Sequence, residues 1–288
     1  MDISKFCIRN GKNFNLDSFE CNDSLEYSKE DRPKVEKMLL ENTLKSAVLQ
    51  DKLYAQNTHS ILMILQATDT AGKDGTIKHV TSGLNPQGCH VRSFKAPSSE
   101  ELDHDYLWRV NRKLPERGTI GVFNRSYYEE VLVAKIHNLP FKQQLPEEMV
   151  KEDVWKKRYR QINDYEKYLK ENGIVIIKIF LHLSKDEQKK RILARIDDSA
   201  KNWKFSAGDL DERKHWDAYQ KAFEDMIRYT SSAYAPWYVV PADRKWFART
   251  LVSEILLKTL EIINPKYPSL AEDQQNLLSH YRENLETE

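Results

Sequence analysis

The chain has 288 residues, of which 40% are hydrophobic and 31% are charged, and this composition supports one large folded domain, alone or with a small appendage. Its net charge is only +1, so the molecule as a whole does not attract polyanions, and an anion site requires local clustering of cations. No apolar run approaches the roughly 18 residues that span a membrane, and the polar first residues exclude a secretory signal.

Residues 1–30 have a mixed polar sequence that predicts an irregular N-terminal arm. The three cysteines lie far apart without metal-binding spacing, which predicts free thiols and a cytoplasmic location. A long helix follows at about 34–56, because apolar residues recur there at spacings near three and four. These residues are Val35, Met38, Leu39, Leu44, Val48 and Leu53.

Short apolar runs then alternate with helix-length segments. The runs lie at 61–66, 90–94, 119–123, 174–181 and 237–240. Three of them are almost continuously apolar, as in strands that are covered on both faces of a parallel sheet. The alternation predicts an α/β fold, a three-layer α/β/α domain with a five-stranded, mainly parallel sheet. In such sheets the active site lies beyond the carboxyl ends of the strands.

Two later stretches, 146–172 and 185–226, have charged helical patterns, and the second is interrupted near 202–208. Both are rich in cations, namely Lys156, Lys157, Arg158 and Arg160 in the first and Lys185, Lys189, Lys190, Arg191, Arg195, Lys201 and Lys204 in the second. A linear polyanion would need such a row of cations. Acids are interleaved, however, so a solvated helix face is the alternative interpretation. We expect the main domain to occupy 31–265 and a polar C-terminal tail to occupy 266–288.

The segment ATDTAGKDGT at 67–76 lies between the first buried strand and a helix. Phosphate binds in this context, because backbone N–H groups and the helix N-terminus face the anion while a lysine reaches its oxygens. The predicted phosphate-binding residues of this loop are Ala71, Gly72, Lys73, Asp74, Gly75 and Thr76. The alternative is a plain strand–turn–helix in which Lys73 is solvated.

The loop departs from the usual G-x-x-x-x-G-K-[ST] pattern at two positions. Ala67 replaces the first glycine, and Asp74 stands where a hydroxyl would bind Mg²⁺. An acid, Asp69, lies inside the loop instead, where it would repel phosphate unless a cation lay between them. Asp69 is therefore the predicted Mg²⁺ ligand, bound directly or through water.

A second buried strand ends in the polar segment FNRSYYEE at 123–130. An acid often assists the metal at this position in P-loop enzymes, but here Asn124 is followed by Arg125. Asn124 cannot act as a base, although it can orient an acceptor oxygen. A nucleotide phosphate needs no base, because its second pKa is near 6, so the sequence fits a phosphate acceptor better than a sugar hydroxyl. The alternatives are an Asx turn for Asn124 and a surface salt bridge for Arg125.

The two segments together resemble the polyphosphate kinase 2 family. The resemblance extends over about residues 30–265 and includes LNPQG at 84–88, DYLWR at 105–109, KRYR at 157–160, Arg191 with Arg195-Ile-Asp, and WKF at 203–205. It implies a P-loop kinase fold, a helical lid at about 185–215, a Mg²⁺ cofactor and a homodimer or homotetramer. Many members have aspartate at the position of Asn124, and the asparagine resembles the subgroup that phosphorylates both AMP and ADP.

Matched positions in this family imply roles for individual residues. Lys73 and Arg125 would contact phosphate, Asp69 would bind the metal, and Asn124 completes the implied catalytic set. Arg109, Arg191 and Arg195 would contribute further nucleotide or phosphate contacts, the last two from the lid.

The resulting hypothesis is a phosphotransferase that uses inorganic polyphosphate to convert AMP and ADP reversibly into ADP and ATP. An ATP-dependent nucleotide kinase with the same fold is the first alternative, and a non-catalytic nucleotide-binding module is the second. We expect no nucleic-acid partner, because the charge is near neutral and the chain has no RNP or KH pattern. No membrane partner is expected either.

Overall fold

The structure is a computed structural model that describes residues 1–141, 145–151 and 153–288. Its strands are β1 Cys7–Ile8, β2 Ser60–Gln66, β3 Cys89–Ser93, β4 Ile120–Asn124, β5 Ile174–His182 and β6 Trp237–Pro241. Its α-helices are α1 Arg32–Gln56, α2 Lys73–Thr81, α3 Ser99–Leu102, α4 Trp108–Asn111, α5 Val133–Ile136, α6 Val154–Glu171, α7 Lys185–Asp197, α8 Ala207–Lys214, α9 Trp216–Thr230, α10 Lys245–Ile263 and α11 Glu272–Glu286. Short 3₁₀ helices lie at Ser4–Phe6, Leu16–Ser18, Pro86–Gly88, Tyr127–Val131, Leu139–Phe141, Glu147–Met149 and Asn202–Lys204.

The sheet has six strands in the order β1-β6-β5-β2-β4-β3, so the prediction of five strands was wrong. The five predicted strands are all present, each within one residue of its predicted bounds, and they pair in parallel. The additional strand, β1, comes from the N-terminal arm and pairs antiparallel with β6. Two residues are too few to show a hydrophobic period, so only the pairing itself reveals this strand.

Helices cover both faces of the sheet and form the predicted three layers. Side chains of β2 alternate between two cores, because successive residues of a strand point to opposite faces. Ile61 and Met63 pack in the core that contains α2 and α10, whereas Leu62 and Ile64 pack in the core that contains α6 and α9. Burial on both faces explains the continuous apolar sequence of this strand.

The helix predicted at 34–56 and the outer ends of the one predicted at 185–226 are close to their predicted positions, whereas the helix predicted at 146–172 begins only at Val154. The predicted interruption of 185–226 separates α7 from α8 and α9, and the polar C-terminal segment contains the exposed helix α11. No helix in the described parts of the chain is long and apolar enough to cross a membrane.

The carboxyl ends of β2 and β4 lie side by side, since Leu65 pairs with Asn124 in the parallel register. The two polar segments that follow these strands, at 67–76 and 123–130, therefore meet at one edge of the sheet although they are far apart in the chain.

Candidate active site

The loop between β2 and α2 has a backbone shape suited to anion binding. Gly72 is the N-cap of α2 with φ of 104°, a conformation that favours glycine. Thr70 also has a positive φ, of 68°. The first helical residue is Lys73, whose Nζ donates to the carbonyls of Ala67 at 3.1 Å and Thr68 at 3.4 Å. The lysine therefore folds back over the loop and holds its positive charge at the loop's centre.

Lys73 is buried, with only 9% of its surface exposed. Burial lowers the pKa of its ammonium group, the positive charge of Arg125 lowers it further, and Asp69 opposes the shift. A buried cation whose hydrogen-bond acceptors are neutral carbonyls is well suited to meet an incoming anion.

Arg125 brings the two polar segments together. It follows β4 with φ of 64°, an uncommon conformation for a residue with a side chain. Its Nη2 is hydrogen bonded to Asp69, and its Nη1 lies 3.3 Å from Glu129. Burial raises the pKa of Asp69, but the charges of Lys73 and Arg125 outweigh this effect, so its pKa lies below the usual range. Asp69 is therefore ionised at neutral pH.

Two unusual residues are in contact: Asp74, which replaces a hydroxyl in the loop, and Asn124, which replaces an acid at the end of β4. The Nδ2 of Asn124 donates to Oδ1 of Asp74 at 2.7 Å. An aspartate at position 124 would place two carboxylates against each other. The two residues are thus coupled across the site, which local sequence inspection could not show.

Arg191, in the segment predicted to be a lid, donates side-chain hydrogen bonds to backbone carbonyls of the phosphate loop. Its Nη1 donates to the carbonyls of Ala71 at 2.8 Å and Thr70 at 3.3 Å, its Nη2 donates to those of Ala242 and Asp243 at 2.6 and 3.2 Å, and its Nε donates to Glu187. These five bonds match the five N–H donors of an arginine. A direct phosphate contact by Arg191 stays a prediction, and it would require some of these bonds to break.

Arg195 lies one turn further along α7 and faces α8. Its Nη1 donates to Asp209 at 3.0 Å and to the carbonyl of Lys204 at 3.2 Å. Its charge also lowers the pKa of Asp69, so this end of α7 lies close to the phosphate loop. Burial and the charge of Asp69 raise the pKa of Asp209, and Arg195 opposes them.

A cleft of about 1080 Å³ opens beside this cluster and reaches Asp69 and Arg125. Arg109 lines it, with its Nη1 hydrogen bonded to the carbonyl of Lys95 at 2.8 Å and to Glu101 at 3.3 Å. The volume is large enough for a nucleotide. Arg109 thus belongs to a wall of the cleft, and Asp69 and Arg125 line it next to the loop. Phosphate binding by the loop, Asn124 and Arg125 stays a prediction.

The oxygen atoms at this end suit a hard divalent cation. Asp69 and Asp74 supply carboxylates, and the buried hydroxyls of Thr68 and Thr70 have no hydrogen-bond partner among the described residues. No cluster of three or more His, Cys, Asp or Glu residues with metal-binding geometry occurs in the described residues. Mg²⁺ commonly binds to one or two carboxylates plus substrate phosphates, so these residues fit Mg²⁺ that arrives with a substrate.

Two acids of the site were not predicted. Glu129 is four residues after Arg125, and this spacing could have indicated the pair. Asp209 lies in α8 among other charged residues, and nothing in the sequence distinguishes it as the partner of Arg195.

The parallel sheet, the glycine–lysine loop at its carboxyl edge and the helix behind the loop fit the P-loop kinase fold, the fold of many phosphate-transferring enzymes. Residues 28–268 match the sequence profile of Polyphosphate kinase 2 (PPK2). The chain belongs to the polyphosphate kinase 2 family, as its motifs indicated.

Individual relatives agree with this assignment. The chain is 54% identical over 239 residues to a Rhodopseudomonas palustris protein named ADP-polyphosphate phosphotransferase, covering 82% of this chain and 83% of that protein. It is 43% identical over 266 residues to a Meiothermus ruber protein named AMP/ADP-polyphosphate phosphotransferase, covering 92% and 96%. The crystal structure of polyphosphate kinase 2 from Arthrobacter aurescens TC1 superposes with a TM-score of 0.84 at 38% identity, covering 95% of each chain.

Proposed function

We propose that this protein transfers a phosphoryl group from inorganic polyphosphate to ADP or AMP, giving ATP or ADP, in a reversible reaction that requires Mg²⁺. The observation that carries the proposal is that Asp69 and Arg125, which are bonded to each other beside the buried Lys73, line a cleft large enough for a nucleotide. The names of the two relatives support polyphosphate as the donor.

The residues of the site have distinct tasks in this reaction. An oxygen of the acceptor's terminal phosphate forms the new P–O bond, while the bridging O–P bond of the donor breaks and the shortened polyphosphate leaves. Lys73 and Arg125 stabilise the charge on the transferring group, which is the main requirement of phosphoryl transfer. Asn124 orients the acceptor and does not have to remove a proton.

Asp69 and Asp74 would hold Mg²⁺ together with oxygens of the substrates. When bound, the metal ion neutralises charge on the phosphates. The hydrogen bond between Asn124 and Asp74 limits the negative charge beside the acceptor. AMP has a single phosphate, so it has fewer oxygens than ADP with which to chelate a metal and overcome repulsion from a nearby carboxylate. An uncharged amide at position 124 therefore supports AMP as an acceptor as well as ADP.

The direct test is to incubate the protein with Mg²⁺, polyphosphate and either ADP or AMP, and to separate the nucleotides chromatographically. We expect ATP from ADP, and ADP followed by ATP from AMP, with no product when EDTA is present. A reaction without polyphosphate controls for contaminating adenylate kinase. Turnover that needs ATP as the donor and ignores polyphosphate would favour the alternative of an ordinary nucleotide kinase.

A cytoplasmic location and a homo-oligomeric state are part of the same proposal. Three free cysteines, Cys7, Cys21 and Cys89, are consistent with a reducing compartment. Light scattering coupled to size-exclusion chromatography tests the oligomeric state, and elution as a monomer at working concentration would contradict it.

A further inference from the structure

Helix α1 turns an apolar stripe away from the rest of the chain. The stripe consists of Leu40, Leu44 and Val48, which recur every fourth residue and therefore lie on one face of the helix. Between 57% and 60% of the surface of each residue is exposed. Helices on the surface of a folded domain normally point their apolar side inward, so an outward stripe of this kind indicates a surface that another element covers.

Polar residues on the inner face of α1 fix its orientation. The Nδ2 of Asn42 donates to Oε2 of Glu254 at 2.8 Å. Gln50 donates to the carbonyl of Asn85 at 3.0 Å and accepts from its backbone N–H at 2.9 Å. Both side chains on α1 are buried, and rotating the helix to bury the stripe would leave their partners unpaired, which is costly. The stripe therefore stays on the surface of the single chain.

A second apolar stripe lies on the C-terminal helix α11. It consists of Leu277, Tyr281 and Leu285, at the same spacing of four residues, with Leu278 beside it. All four are exposed, as is every other residue of α11 whose burial is described. Helices of about 15 residues or fewer are marginal in water without tertiary contacts, so α11 gains stability from a partner.

The segment that precedes α11 contacts α1 without bringing the two stripes together. The hydroxyl of Tyr267 donates to Oδ2 of Asp51 at 2.5 Å, and Nζ of Lys52 lies 5.9 Å from the centre of its ring. Pro265 and Pro268 stiffen this connection. The chain is thus held at the C-terminal end of α1, and α11 extends from there with its stripe exposed.

The two helices are complementary in shape and in charge. Side chains four residues apart form a ridge, and the ridge of one helix packs into the groove of another. Helix α1 has five basic and three acidic residues, a net charge of +2, whereas α11 has one basic and four acidic residues, a net charge of −3. This difference favours contact between α1 and α11 over contact between two copies of either helix.

We propose that α11 of one chain packs along the apolar stripe of α1 in a second copy, and that the second copy makes the same contact in return. Twofold dimers have self-complementary interfaces of this kind. Helix α11 has 15 residues and one face of the 25-residue α1 is available, so roughly 25 residues of each chain take part, as in a standard interface. The inference rests on the homo-oligomeric state in the proposed function and adds the surfaces that form it.

The test is the mass in solution, from light scattering coupled to size-exclusion chromatography, of Leu44→Lys and Tyr281→Glu. Each variant changes the middle residue of one stripe. At a concentration at which the wild type is fully associated, each variant alone should have half the wild-type mass, because the contact would bury an unpaired charge. Mixing the two variants should restore association, since each mixed pair has one contact between the introduced charges and one wild-type contact.

Tyr168→Glu on α6 is the matched control, since it places the same charge on an exposed tyrosine outside both stripes, and it should keep the wild-type mass. Circular dichroism of all variants should match the wild type. A monomeric wild type, single variants of wild-type mass, or a mixture that stays dissociated would each overturn the interface. A wild type that associates but uses no polyphosphate would contradict the proposed reaction alone, because the masses decide the interface.

Discussion

Two lysines, Lys73 and Lys178, are both buried, and burial lowers the pKa of both, yet their surroundings differ. Nζ of Lys178 in β5 donates to Glu166 Oε2 and the Thr230 carbonyl, each at 2.6 Å, and to the Tyr128 hydroxyl at 3.1 Å. In the part of the chain that the structure describes, Lys73 has only carbonyls as hydrogen-bond partners. One lysine is closed within a complete network, and the other remains open to a ligand.

The closed network supports the open site. Oε1 of Glu166 accepts hydrogen bonds from the hydroxyls of Tyr127 and Tyr128 at 2.8 and 2.6 Å, and these tyrosines follow Arg125 closely in the chain. A complete buried network fixes the backbone that presents Arg125 to the phosphate loop. Burial alone therefore does not distinguish a structural cation from one that can meet a ligand. The charge of the hydrogen-bond partners does, since Lys178 is paired with a carboxylate and Lys73 with neutral carbonyls.

The largest expected effect is on stability, in Lys178→Met. The substitution leaves the fully buried Glu166 carboxylate without its counter-charge, which costs about 3–5 kcal/mol. Urea denaturation should show this loss as a lower midpoint.

The double variant Lys178→Met with Glu166→Leu is the control, and it should recover part of the stability because no unpaired charge remains. A single variant as stable as wild type would mean that Lys178 is not part of a closed network.

Lys73→Ala should mainly affect activity, whereas Lys178→Met mainly affects stability. We expect a large loss of activity with little change in the free energy of unfolding. We expect kcat to fall about a hundredfold or more, on the order of 3 kcal/mol, as for loss of a key electrostatic donor. Circular dichroism and denaturation should remain close to wild type.

Lys78→Ala on the same helix is the matched control, because that lysine is exposed. Near-wild-type turnover of Lys73→Ala with an intact fold would remove Lys73 from the catalytic residues.

Arg191→Ala tests whether a third buried cation behaves like Lys178, which is enclosed in a hydrogen-bond network, or like Lys73, which remains open to a ligand. The five hydrogen bonds of Arg191 resemble those of Lys178, so we expect a loss of stability of about 2 kcal/mol. Activity should fall as well, because the carbonyls of the phosphate loop lose their donor.

Arg195→Ala gives the contrast on the same helix. Its partly exposed salt bridge with Asp209 should contribute less than about 1 kcal/mol to stability, while KM for polyphosphate should rise. If Arg191→Ala is fully stable and loses only polyphosphate affinity, Arg191 is a direct phosphate ligand, as the family resemblance implies.

Asn124→Asp sharpens the comparison at the open site through the choice between two acceptors. The new carboxylate would meet Asp74, whose Oδ1 now lies 2.7 Å from the amide. We expect AMP to suffer more than ADP, because ADP has a second phosphate with which to chelate a metal. A tenfold change in the ratio of kcat/KM for AMP and ADP needs only about 1.4 kcal/mol. An unchanged ratio would indicate that Asn124 does not contact the acceptor.

The strands and the phosphate loop could be predicted because their signals are local. Burial on both faces makes a strand such as β2 continuously apolar, and the loop carries its glycines and Lys73 within ten residues. The juxtaposition of Asp69 and Arg125 also followed, since parallel strands end at the same edge of a sheet. The strand β1 could not be predicted, because two residues show no period and its partner lies more than 200 residues away.

The sequence by itself determined the fold class, the family and the residue types that follow β2 and β4 at the edge of the sheet. The tertiary structure decided which charge has which partner: Asn124 bonds to Asp74, Arg191 bonds to loop carbonyls, and Arg249 bonds to His79. Hydrophobic period and motif spacing depend on neighbours along the chain, whereas the partner of a charged side chain depends on packing between distant elements. A lysine of the core and a lysine of the active site therefore look alike in sequence and differ only once the chain has folded.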